Sequence, residues 1–103
     1  MVKPYKIDEI KWRTFPPRIQ LGNIAAELSR ATAGLRDGNV LLTEESYRNA
    51  LVCLGASLTD PQWQDRKFLY ELRDAVAALS VSNVEPEACR FVLNRTLERM
   101  MEL

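Results

Sequence analysis

The stretch LTDPQWQDRKFLYELRDAV, Leu58–Val76, decides how the whole chain is organised. Thr59-Asp60-Pro61 is its punctuation. A carboxylate there can cap exposed N–H groups, and a proline, lacking an N–H, suits the first helical position. The spacing predicts a helix that begins at Asp60 and Pro61 and runs to about Ser80 on the stripe Phe68, Leu69, Leu72, Ala75, Val76 and Leu79. At 100° per residue most of that stripe falls within roughly 100° and makes a core-facing side. Trp63 and Tyr70 project elsewhere. On a continuous helix Trp63 lies about 180° from Leu72 and only about 20° from Tyr70, with Arg66, Lys67 and Asp74 nearby. This second face must be covered by an N-terminal segment, by another chain, or by water.

Upstream, LLTEESYRNALVCLGASL (41–58) reads as another helix, with Thr43 as N-cap and Glu44 and Glu45 placed to favour the positive end of the macrodipole. Its apolar face carries Tyr47, Ala50, Leu51, Leu54 and Leu58, with Val52 and Cys53 at the margins, and Gly55 suggests a close helix crossing. Before it, Leu21, Ile24, Leu28, Ala31 and Leu35 recur at spacings of three and four, a single helical stripe opened by Pro16-Pro17 and closed at Gly38. Downstream, SVSNVEPEA offers two starts, Ser82 with Glu85 as a capping box or Asn83 as cap with Pro86 in the first turn. A last helix then follows on Cys89, Val92, Leu93, Thr96, Leu97, Met100 and Leu103.

Four amphipathic helices on short connections predict an all-α fold, a four-helix up-and-down antiparallel bundle over residues 16–103. Residues 1–15 form a lead-in with one or two helical turns in KIDEIKW, Ile7 and Ile10 sharing one side. Its Tyr5, Ile7, Ile10, Trp12 and Phe15 are the segment's means of covering the Trp63–Tyr70 face. The 103 residues suit one domain, and a domain this small leaves apolar surface that favours self-association.

Several chemistries are excluded or unsupported. There is no histidine, which removes serine–histidine and cysteine–histidine catalysis and the imidazole metal ligand. Two isolated cysteines cannot supply a structural zinc site, and four solitary glycines make no phosphate loop. No catalytic residue, cofactor or metal ligand is assigned. Lys plus Arg and Asp plus Glu are equal at 14 each, so no global field draws the chain to nucleic acid. The most basic stretch is N-terminal, with Lys3, Lys6, Lys11, Arg13 and Arg18. No apolar run is long enough to span a membrane and no signal segment is recognisable, so the expected location is the cytoplasm, with Cys53 and Cys89 as reduced thiols.

The helical pattern and YRNALVCLG (47–55) resemble, in architecture, the small helical bundles associated with nucleotidyltransferases in prokaryotic toxin–antitoxin modules. The ribonuclease members carry an arginine followed four to six residues later by histidine. Arg48 has Val52, Cys53 and Leu54 in those places, so no site is carried over.

The expected function is therefore non-enzymatic: a small helical protein-interaction module, a homodimer or the partner of another protein. Trp63, Arg66, Lys67, Tyr70, Asp74 and Trp12 are its interface residues, since tryptophan, tyrosine and arginine dominate binding energy at interfaces. The alternative is a nucleic-acid-binding or toxin–antitoxin-associated accessory protein using the basic N-terminal stretch.

Overall fold

The computed structural model describes residues 6–103, and among them there is no strand. Five helices follow in order: α1 (Glu9–Thr14), α2 (Pro17–Asp37), α3 (Val40–Leu58), α4 (Arg66–Ser80) and α5 (Pro86–Met101). The fold is all-helical, as the sequence predicts. Tyr5 and the rest of residues 1–5 of the lead-in lie outside the described residues.

α2 begins with Pro17 at its first position and stops where Gly38 turns left-handed at φ +68°, its N–H returning to Gly34 O. The predicted stripe faces inward: Leu21, Ile24, Leu28 and Ala31 are buried and Leu35 packs at the edge of the core. Gly38 and Asn39 alone link α2 to α3, which forces the chain to reverse. Asn39, and not Thr43, caps α3, accepting from Leu42 N–H at 3.0 Å. The left-handed glycine delivers the Asn39 side chain to the helix start, while Thr43, a turn further in, donates its hydroxyl to Asn39 O.

The close crossing is also not at Gly55, which is exposed with open space beside it. It is at Gly34, where a Cβ would collide with Thr43 Oγ1 and lie 3.0 Å from Thr43 N and 3.1 Å from Asn39 O. From there the two helices run in opposite directions. Asn49 Nδ2 meets Glu27 Oε2 at 3.3 Å and Ser57 Oγ meets Gln20 Oε1 at 2.7 Å, so partner numbers rise on one helix as they fall on the other.

α2 also packs on α5, and α4 packs on both α3 and α5. Cys89 Sγ donates to Leu28 O at 3.5 Å, and Met100 Sδ sits 3.5 Å from where a Gly22 Cβ would be. α5 opens on Pro86 with Glu85 before it and no side-chain cap bond, so neither the Ser82–Glu85 box nor an Asn83 cap is used. Proline at the first position removes one N–H that would otherwise need a partner.

α4 starts at Arg66, five residues later than the TDP signal predicts, with Asp65 as cap accepting from Phe68 N–H at 3.2 Å. Its stripe then lies as expected, with Leu69, Leu72, Val76 and Leu79 buried. α1 is a single short helix capped by Asp8 and packed on α3. The Ile7–Ile10 side is not its inner face. Ile10 is exposed, whereas Trp12 is buried with Ile7 and Phe15 packed against the same core.

Candidate functional site

Asp60 follows α3 and begins a turn instead of a helix. Pro61 takes the second position, Trp63 N–H returns to Asp60 O at 3.2 Å, and Asp60 Oδ1 accepts from Gln62 N–H at 3.0 Å. Asp-Pro is a turn opener for the same reasons that it is a helix opener: the carboxylate bonds the backbone two residues on, and the ring presets φ. What selects the turn is Trp63, only 3% exposed, which must swing inward.

Its indole N–H donates to Gln20 Oε1 at 2.7 Å. The same oxygen accepts from Ser57 Oγ, and Ser57 Oγ accepts from Trp12 Nε1 at 3.1 Å. On the other side, Gln20 Nε2 reaches Asp60 Oδ2 at 2.7 Å and Phe15 O at 3.0 Å, with Trp12 O further away at 3.3 Å. Gln62 Nε2 closes the ring on Asp60 Oδ2 and on the carbonyls of Arg13 and Phe15. One glutamine thus ties α1, α3 and the α3–α4 loop to α2.

Burial alone would raise the Asp60 carboxyl. The N–H of Gln62, the Gln20 and Gln62 side chains and the field of Arg13 outweigh it and hold the group below the usual carboxylate range. Arg13 itself donates to Thr59 O at 3.3 Å, and Arg66 clamps the far side of the loop through Leu58 O and Asp60 O. Both oxygens of this buried carboxylate accept hydrogen bonds from within the chain, Oδ1 from the Gln62 N–H and Oδ2 from the Gln20 and Gln62 side chains. The junction braces α1, α2, α3 and the α3–α4 loop against one another. Among the described residues no group of three or more Cys, Asp or Glu is placed to hold a metal ion.

The predicted interface residues are thereby divided. Trp12 and Trp63 are in the core and present no surface. Arg66 is half-buried on loop carbonyls. Lys67, Tyr70 and Asp74 do face outward: Tyr70 is 47% exposed, with the Arg73 guanidinium 4.9 Å from its ring centroid, while Lys67 is 4.0 Å from Glu71 and Asp74 3.6 Å from Arg73. Trp63 does not share a face with Tyr70, because projecting at 100° per residue is meaningless for a residue that precedes the helix.

Gln20 and Ser57, which hold the junction together, stand in no motif of the sequence. The signal available was indirect: two large indoles that need N–H acceptors when buried, and a glutamine directly beside a stripe of leucines.

A second region lies between α4 and α5. Phe68, Leu72, Ala75, Phe91 and Val92 line a groove of about 190 Å³ with Glu71 on one wall and Arg95 on the other. Phe91 is 65% exposed, and Met101, also on α5, is exposed as well. At the lower end Arg99 lies 5.5 Å from the Phe68 ring centroid and pairs with Asp65 and Glu102. In the core, the Tyr47 hydroxyl is buried without a hydrogen-bond partner among the described residues. Burial first, and then the neighbouring Cys89, push this phenol above its ordinary value; the Cys89 thiol directs its own donor to Leu28 O. No helix among the described residues is long and apolar enough to cross a membrane.

No family model, curated protein or solved structure matches the chain.

Proposed function

We propose that this chain is a non-enzymatic protein-interaction module that self-associates, its four long helices arranged as an up-and-down antiparallel bundle and α1 bracing one end. The reversal of numbering between α2 and α3 supports that arrangement, as do the meetings of α5 with α2 at Leu28–Cys89 and with α4 at Asp65–Arg99. The same reading places the chain in the cytoplasm, where a buried thiol such as that of Cys89 stays reduced.

The observation that carries the interaction reading is Phe91. A phenylalanine two-thirds in water, at the lip of an apolar groove with one acidic and one basic wall, is an anchor beside a receptor of matching chemistry. α5 packs Ala88, Val92, Leu93 and Met100 against the core around buried Cys89 and Thr96, and leaves Phe91, Leu97 and Met101 exposed. The Lys67–Tyr70–Asp74 face is the weaker surface, since its one aromatic ring is already covered in part by Arg73.

Sedimentation velocity from low micromolar to millimolar chain tests this reading, because self-association depends on concentration by mass action. The expected result is a monomer–dimer shift that Phe91→Ser abolishes and Tyr70→Ala leaves in place. A chain that stays monomeric over the whole range overturns self-association.

A further inference from the structure

We infer that the surface around Phe91 pairs with a second copy of itself, α5 against α5 in antiparallel register about a two-fold axis at Phe91. This rests on the self-association reading above and adds the partner's orientation. On α5, Glu87, Phe91, Asn94 and Glu98 fall within about 60° of one another, on the side away from buried Cys89 and Thr96, and all four are exposed. Arg95 stands at the edge of that strip nearest α4, where it forms a wall of the groove.

An isologous contact between antiparallel helices brings together residues equally distant from the axis on either side. Glu87, four residues before Phe91, then faces Arg95 of the second copy, four residues after it, and the pair occurs twice. Three residues out, Ala88 faces Asn94, small against polar, which lets the helices approach. At the centre each Phe91 ring has the other's groove beside it, floored by Leu72, Ala75 and Val92.

Charge selects this orientation. Among the described residues neither Glu87 nor Arg95 makes an ion pair within its own chain, so both charges are available to a partner. A parallel pairing would set Glu87 against Glu87 and Arg95 against Arg95, which is repulsive at both points. Only the antiparallel arrangement makes both contacts attractive.

Sedimentation equilibrium on the full chain at low salt provides the test, with circular dichroism showing that each variant keeps its helices. Glu87→Arg alone and Arg95→Glu alone should each weaken dimerisation about tenfold or more, since each sets like charges opposite one another twice per dimer. The double variant Glu87→Arg/Arg95→Glu should dimerise within about threefold of the unaltered chain. An equimolar mixture of the two single variants should form a heterodimer more strongly than either forms a homodimer, an outcome that a general loss of stability cannot produce. If the unaltered chain dimerises but the reversals have no effect, or the double variant is no better than the singles, the register is overturned while self-association stands. If the unaltered chain never dimerises, both fail.

Discussion

Trp63 Nε1 donates to Gln20 Oε1 across 2.7 Å, joining a loop indole to a helix amide 43 residues earlier in the chain. That bond explains why the chain does not enter α4 directly after Pro61. An indole buried without an acceptor for its N–H is penalised by about 1–3 kcal/mol, so the loop takes the path on which the acceptor is met. Gln20 has no other orientation that serves both its neighbours, because its oxygen faces two donors and its nitrogen a carboxylate.

Gln20→Leu keeps the side-chain bulk and removes every one of these bonds. It leaves the Trp63 N–H, the Ser57 hydroxyl and one side of the Asp60 carboxylate short of partners in the core. A loss of about 3 kcal/mol or more in urea denaturation is expected, in the range for breaking a buried charged hydrogen-bond pair. Trp63→Phe, which deletes only the donor end and some ring area, should cost less. A change below about 0.5 kcal/mol for the leucine variant would show that the brace contributes nothing to the fold.

The Asp60 carboxyl titrates below its ordinary value in the folded chain. The unfolded chain therefore takes up that proton first, at roughly pH 3.9, and stability from this group is complete well above that pH. It is lost as the pH falls through the unfolded and then the folded value. Asp60→Asn should be less stable at neutral pH, because one of its two side-chain acceptors becomes a donor facing Gln20 Nε2. The gap between variant and unaltered chain should narrow on acidification. Denaturation curves taken from neutral pH down to about pH 3 check this, and a gap that stays constant would assign the acid sensitivity to other carboxylates.

Gly34→Ala and Gly55→Ala should move stability in opposite directions. At Gly34 the added methyl meets Thr43 and the Asn39 carbonyl, so α2 and α3 must separate at the hairpin, at a cost of about 1–3 kcal/mol. At Gly55 none of the described residues stands within 4 Å of the added methyl, and alanine gains up to about 1 kcal/mol from helix propensity and a less free unfolded chain. Thermal melts of the two single variants decide the matter.

Tyr47→Phe removes a buried hydroxyl that has no hydrogen-bond partner among the described residues. The expected change is neutral to stabilising, up to about 1–2 kcal/mol, since the desolvated hydroxyl is not repaid by a bond. A loss above about 1 kcal/mol by chemical denaturation would mean that the hydroxyl bonds strongly in solution, with Cys89 as the nearest candidate.

Local chemistry made much of the fold legible. Pro17 and Gly38 mark the ends of α2 because ring closure and the missing Cβ act through their own backbone angles, whatever surrounds them. The stripes of α2, α3 and α4 face the core because helical periodicity is a property of the segment. The outer surface was partly legible too: Lys67, Tyr70 and Asp74 are exposed, as their positions around α4 require.

The candidate sites were much less legible. At Asp60-Pro61 the sequence allows both a helix start and a turn, and the choice lies with Gln20, 40 residues away, which binds the carboxylate that would otherwise cap the helix. Trp12 and Trp63 look like interface residues one at a time and become core residues only when Ser57 and Gln20 are brought to their N–H groups. The placement of Phe91 at the lip of a groove likewise depends on how α4 lies against α5, a distance that no single helix encodes. Sequence alone determined an all-helical chain, the inward stripes of α2, α3 and α4 and the absence of histidine chemistry, because these follow from residues acting on their neighbours; of the stripe expected on α5, Leu97 and Leu103 are exposed instead. Tertiary structure alone decided that Trp12 and Trp63 are buried and that Phe91 faces solvent, because that depends on hydrogen-bond partners and packing surfaces supplied from distant parts of the chain.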